Sequence, residues 1–157
     1  VVDPADITPT LEQVAAHIHT RTRADADGLG AGTVELGTFT EATVPTATQA
    51  AERTQYAARR VALLLGDVGT AWTGDLEASA VDVVSIYAAY LIETSFYSDT
   101  AQADESLPRL AATWMEARDA LIATAKNNQT GGKRFGSIRM VTSQAVLDAE
   151  AEEVETP

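Results

Sequence analysis

The sequence has no cysteine, which excludes disulfides, thiolate nucleophiles and zinc–thiolate centres together. Histidine is scarce. His17 and His19, two residues apart on an expected helix, point to different faces, so the pair is read as a surface or interface feature. A chelating pair four apart, as in H-E-x-x-H, does not occur. Positive charge is also scarce: 11 Lys and Arg stand against 23 Asp and Glu, a formal charge of −12. That balance excludes nucleic-acid binding through a broad basic face. It fits either a solvated surface or a channel wall past which a duplex slides without sticking. Long apolar runs are missing too. The most apolar stretch, Val81–Ile92, contains Asp82 and Ser85 and is far shorter than the roughly 20 residues of a membrane span. It reads as a buried helix, and no membrane association is expected. Val1-Val2-Asp3-Pro4 shows no basic region followed by an apolar one, so no signal peptide is expected.

Alanine and helical periodicity are what the sequence has instead, and the expected fold class is all-α. The first helix is predicted to start at Thr8-Pro9, with Thr8 as cap, and to end near Thr22; Leu11, Val14, Ala15 and Ile18 form its apolar face. The second starts at Thr46, where Thr46-Ala47-Thr48-Gln49 fits a capping box, and stops at Gly66. The third runs from about Asp75 to Ser95 and is apolar nearly all round, which predicts a central helix or one covered by partners on both sides. The fourth begins at Asp104 or Ser106, because Pro108 belongs in a first turn, and ends near Lys126.

Between the first two helices lies a long connection, Arg23 to Pro45. Its glycine-rich half, Asp25 to Gly32, is expected to be a mobile loop; Thr33–Thr40 is read as an extended arm or hairpin that reaches a neighbouring subunit. After Lys126 the composition changes. Residues 1–126 therefore form the expected helical domain, and residues 127–157 a tail with a basic-apolar extended segment and an acidic helix, Gln144 to Glu155.

No constellation for chemistry emerges, so an enzyme is not expected, nor a cofactor or metal. Gly28-Leu29-Gly30-Ala31-Gly32 lacks the preceding strand and βαβ unit of a dinucleotide site. Gly131-Gly132-Lys133-Arg134 has Asn127 where a phosphate-binding loop needs glycine, and Arg134 where it needs Ser or Thr. Asn128-Gln129-Thr130 matches a glycosylation sequon, which means little without a secretion signal. The carboxylates have no histidine partner at useful spacing. Asp82 and Glu93, set in the apolar helix, need partners; Arg53, Arg59, Arg60 or a neighbouring subunit are the expected sources.

Several segments taken in order resemble one family. Thr8-Pro9-Thr10-Leu11-Glu12-Gln13-Val14 leads to Arg21-Thr22. Gly37-Thr38-Phe39-Thr40-Glu41-Ala42-Thr43-Val44-Pro45-Thr46 precedes the second helix. Leu91-Ile92-Glu93-Thr94-Ser95-Phe96-Tyr97 closes the third, and Leu110 and Trp114 follow in the fourth. Over residues 8–126 this order is similar to the head-to-tail adaptor (connector) proteins of long-tailed phages that infect actinobacteria. The resemblance implies a four-helix adaptor subunit with an arm between helices one and two and an extended C-terminal tail. It further implies a homo-oligomeric, dodecameric ring in the neck of the virion, assembled in the host cytoplasm. The ring would bind the portal protein and the next neck or tail protein, and genomic DNA would pass through it without sequence-specific binding. Carried onto this chain, portal contacts fall on Lys133, Arg134, Phe135, Ile138, Arg139 and Met140. Subunit contacts fall on Leu36 and Phe39 of the arm and on Val81, Ile86 and Ile92 of the third helix. Two alternatives stand beside this: another neck or tail-completion protein, or a small helical regulatory binding module.

Overall fold

A computed structural model describes residues 1–25, 33–69, 72–96 and 103–129; the statements below concern these residues. They are mostly helical: α1 (Leu11–Ala15), a 3-10 turn (His19–Thr22), β1 (Arg23–Asp25), β2 (Thr33–Glu35), α2 (Ala47–Leu65), α3 (Gly74–Ser95) and α4 (Ala103–Gln129).

The first helix is shorter than its periodicity predicts. Its cap is Thr10, not Thr8: Thr10 Oγ1 accepts from Gln13 N at 3.3 Å, and Gln13 Oε1 accepts from Thr10 N at 2.8 Å. This reciprocal box satisfies two backbone donors at once. Thr8 instead donates its hydroxyl to the Pro4 carbonyl at 2.7 Å. Pro9, just before the cap, and Val14 in the first turn and a half are both buried, as in a hydrophobic staple. After Ala15 the chain tightens into the 3-10 turn and passes into β1. β1 pairs antiparallel with β2 in the register Arg23↔Glu35, Ala24↔Val34, Asp25↔Thr33, so the arm is a short hairpin that starts before the glycine-rich stretch. Residues 26–32, where a mobile loop is expected, lie outside the described residues.

The second helix matches its sequence signals. Thr46 and Gln49 form the capping box, and Gly66 ends the helix at φ +60°, where a side chain would be strained. Its buried stripe is Ala50, Thr54, Ala57, Ala58, Val61, Ala62 and Leu65. Four alanines in that stripe allow the α3 backbone to come close, and Ala80, Ala88 and Ala89 of α3 are fully buried.

α3 is the central element and packs against α1, α2 and α4. That explains why it is apolar nearly all round: three neighbours within the same chain cover it. α4 presents Leu110, Trp114, Leu121 and Ala125 to this core, a 4-7-4 spacing on one face. It begins at Ala103, ahead of Pro108, so the proline lies inside the helix rather than in its first turn. It also continues past Lys126 to Gln129, whose Nε2 donates to the Asp67 carbonyl at 2.9 Å. The helical unit thus extends three residues beyond the boundary expected from composition. The N-terminal segment contributes Val2 and Ile7 to the core, a role its sequence does not advertise.

Two expected interface residues are used inside the subunit. Phe39 is 3% exposed and Ile92 is fully buried, so both side chains pack in the chain's own core and offer no surface to a neighbour. Arm and helix pattern mark them as apolar, but an apolar residue near a helix end fills a core as readily as an interface.

Candidate interaction surfaces

Buried polar groups come first, because a site for chemistry would show itself there. Among the described residues no buried side-chain nitrogen or oxygen lacks a hydrogen-bond partner. Glu93 is buried, and its partner is Arg21, not one of the α2 arginines. Arg21 Nε donates to Glu93 Oε1 at 2.9 Å and Nη2 to Oε2 at 2.8 Å, a bidentate pair that ties the 3-10 turn to the end of α3. Asp82 lies exposed and needs no partner. Thr43 Oγ1 accepts from Thr40 N and has the Pro45 carbonyl at 2.7 Å and the Thr40 carbonyl at 2.9 Å as acceptors for its one proton, fixing the chain before α2. Among the described residues no three His, Cys, Asp or Glu side chains gather to hold a metal.

His17 and Ser85 link α1 to α3. The single Ser85 hydroxyl proton goes to the Asp82 carbonyl at 2.7 Å, which assigns a donated Nε2–H from His17 to Ser85 Oγ at 3.1 Å. Burial holds the His17 pKa below its ordinary 6.5, and the Asp82 carboxylate pulls it partly back. The unfolded chain therefore binds this proton more tightly than the folded one. The stabilisation is complete above the unfolded pKa and is lost as pH falls through the folded one. Chemical denaturation from pH 7.5 down to 5 should show His17→Gln losing less stability than the parent; parallel curves would contradict it.

Among the described residues, large apolar side chains are exposed on the arm, on α2, at Met115 of α4 and at Val1. On the arm, Val34, Leu36 and Val44 are exposed, and on α2 so are Tyr56, Leu63 and Leu64. The short 66–73 connector makes α2 and α3 antiparallel neighbours. Val44 precedes the start of α2, Tyr56 lies at its middle and Leu63 and Leu64 in its last turn, so Val44 and the two leucines sit at opposite ends of a 19-residue helix, roughly 28 Å apart. Val81 and Ile86 are half-buried on α3, retaining some surface, and Leu36 is 41% exposed. The tail residues Lys133, Arg134, Phe135, Ile138, Arg139 and Met140 lie outside the described residues, as does the acidic helix expected at 144–155.

Two grooves border α2. One, of about 110 Å³, is lined by Leu64, Leu65, Ile122, Ala125, Lys126 and Gln129. The other, wide and open, is lined by Pro4, Ala5, Thr8, Gln55 and Arg59. Neither brings together a nucleophile, a base and an orienting group. No helix among the described residues is long and apolar enough to cross a membrane.

The described residues form a mainly helical fold with separate exposed apolar side chains on the arm and on α2. Compared with protein-family models, curated proteins and solved structures, the chain has no match.

Proposed function

We propose that the protein is a structural assembly subunit, the head-to-tail adaptor of a long-tailed phage. In this reading copies of the chain join side to side into a ring that docks beneath the portal and then receives the next neck protein. The observation that carries the reading is the exposed apolar surface at the two ends of α2, Val44 at one and Leu63 and Leu64 at the other. A ring built head to tail needs two different complementary surfaces on each subunit. Here the arm patch (Val34, Leu36, Val44) of one subunit would meet the α2 patch (Tyr56, Leu63, Leu64) of the next. The order of segments over residues 8–126 supports the adaptor class, and the acid-rich composition suits a channel that DNA must leave quickly. The resemblance puts the portal contacts on the tail, where Lys133, Arg134 and Arg139 would orient and Phe135, Ile138 and Met140 would anchor. The helical architecture favours an adaptor over a strand-rich neck protein.

The test is a pull-down from phage-infected cells with full-length bait and bait cut after Gln129, the residue that ends α4. The expected result is portal and ringed necks with full-length bait alone. Capture by both baits would remove the tail from portal binding. Capture by neither, from well-folded bait, would overturn the adaptor reading in favour of a regulatory binding module.

A further inference from the structure

In a chain of net charge −12, α2 stands out: it carries Arg53, Arg59 and Arg60 and a single carboxylate, Glu52. All three arginines are exposed, and among the described residues none of them forms an ion pair. Arg59 reaches only Gln55 Oε1, at 3.5 Å, and Arg60 lies beside the Tyr87 hydroxyl. Residues 53, 56, 60, 63 and 64 follow helical spacing, so Arg53 and Arg60 share one face with exposed Tyr56, Leu63 and Leu64, and Arg59 lies at its side, along the groove with Pro4, Ala5 and Thr8. The face is both basic and apolar, and nothing among the described residues covers it.

Charge and reach together select an occupant. We infer that this face is covered by the chain's own C-terminal acidic segment, Gln144–Glu155. That segment holds Asp148, Glu150, Glu152, Glu153 and Glu155 with no basic residue, alongside apolar Val146, Leu147 and Val154. Its match to the face is one of sign and of composition. The nearer tail segment, with Lys133, Arg134 and Arg139, has the wrong sign and is repelled from the same arginines. The starting point also fits. α4 ends at Gln129, beside Leu64 and Leu65 at one end of the face. Residues 130–143 span up to roughly 45 Å when extended, more than the roughly 28 Å length of α2. Exposed ion pairs are individually weak. Tethering raises the local concentration of the segment, so several weak pairs and a small apolar contact suffice to hold it. The inference concerns the free chain and uses only the α2 face and the tail sequence; because the proposed ring contact uses Tyr56, Leu63 and Leu64 of the same face, a neighbour's arm would have to displace the segment on assembly.

The test is paramagnetic relaxation by nuclear magnetic resonance on the full chain, whose lack of cysteine allows one nitroxide to be placed through Ala149→Cys. Amide signals of residues 53–64 should lose more than half their intensity. The loss should disappear at about 1 M salt, where screening shrinks to about 3 Å, and in Arg53→Glu/Arg59→Glu/Arg60→Glu. Adding Asp148→Lys/Glu152→Lys/Glu155→Lys to that variant should restore it, which separates lost docking from lost folding. Undiminished α2 signals in the parent, or a loss insensitive to both salt and charge reversal, would overturn the inference. So would equal broadening in a mixture of spin-labelled and isotope-labelled chains, because the segment would then come from a second copy.

Discussion

Arg21→Ala is expected to lower the unfolding free energy by about 3–5 kcal/mol, the range for breaking a buried ion pair by removing one partner. The side chains of Arg21 and Glu93 are 16% and 5% exposed, and both carboxylate oxygens accept from the guanidinium. Removing Arg21 leaves a carboxylate inside the subunit with neither water nor a cation. Domains of this size are stable by roughly 5–15 kcal/mol, so the loss is a large fraction of the total and should lower Tm by roughly 10 °C or more. Arg21→Met combined with Glu93→Leu should recover much of the loss, because two apolar side chains need no partner there. Urea denaturation of the three proteins measures this. A change below about 1 kcal/mol for Arg21→Ala would mean that water reaches Glu93, contrary to the burial described.

The second large effect is expected at the α3–α4 seam. Trp114 is 9% exposed, and its ring stacks on Tyr87 with centroids 4.1 Å apart and planes 14° from parallel. On the solvent side the Arg118 guanidinium lies 5.9 Å from the indole centroid. Trp114→Ala removes the largest side chain that α4 contributes to the core and leaves a cavity between two long helices. The expected cost is about 3–5 kcal/mol. Trp114→Phe keeps a ring against Tyr87 and should cost roughly half as much or less. Denaturation of both variants, with near-ultraviolet circular dichroism to follow the stacked pair, checks the order. Equal costs for the two would show that the indole is not packed on Tyr87.

How much of this was legible in the sequence depended on distance along the chain. The Thr46–Gln49 capping box and the Gly66 stop are complete within a few residues, and both are seen. Thr10 and Gln13 carry the same spacing, yet Thr8-Pro9 also fits a helix start, and the choice between them rests on Pro9 being buried before the cap. Glu93 shows that a buried carboxylate needs a partner, but its cation is 72 residues away and no periodicity points to Arg21. The apolar character of α3 is equally readable as a central helix or as an interface. Packing resolves it, since α1, α2 and α4 cover α3 and take up Ile92. Phe39 is read as an arm residue because it belongs to the extended stretch Thr33–Thr40, whereas the chain folds it inward before Thr43 and Pro45 close the turn. The two exposed patches are the reverse case. Leu64 looks like part of the core stripe with Leu65 in sequence, whereas the chain turns Leu65 inward and leaves Leu64, with Leu63, outside.

The central claim, a ring joined through unlike surfaces, is tested most directly by crosslinking in the captured necks. The parent chain has no cysteine, so Leu36→Cys and Leu63→Cys supply the only thiols. In the double variant a short thiol-reactive crosslinker should produce a ladder of species above the dimer, because each subunit is linked on both sides. Neither single variant should give any crosslinked product. A ladder that stops at dimers in the double variant, or dimers from a single variant, would show like surfaces joined about a two-fold axis and would contradict the head-to-tail ring.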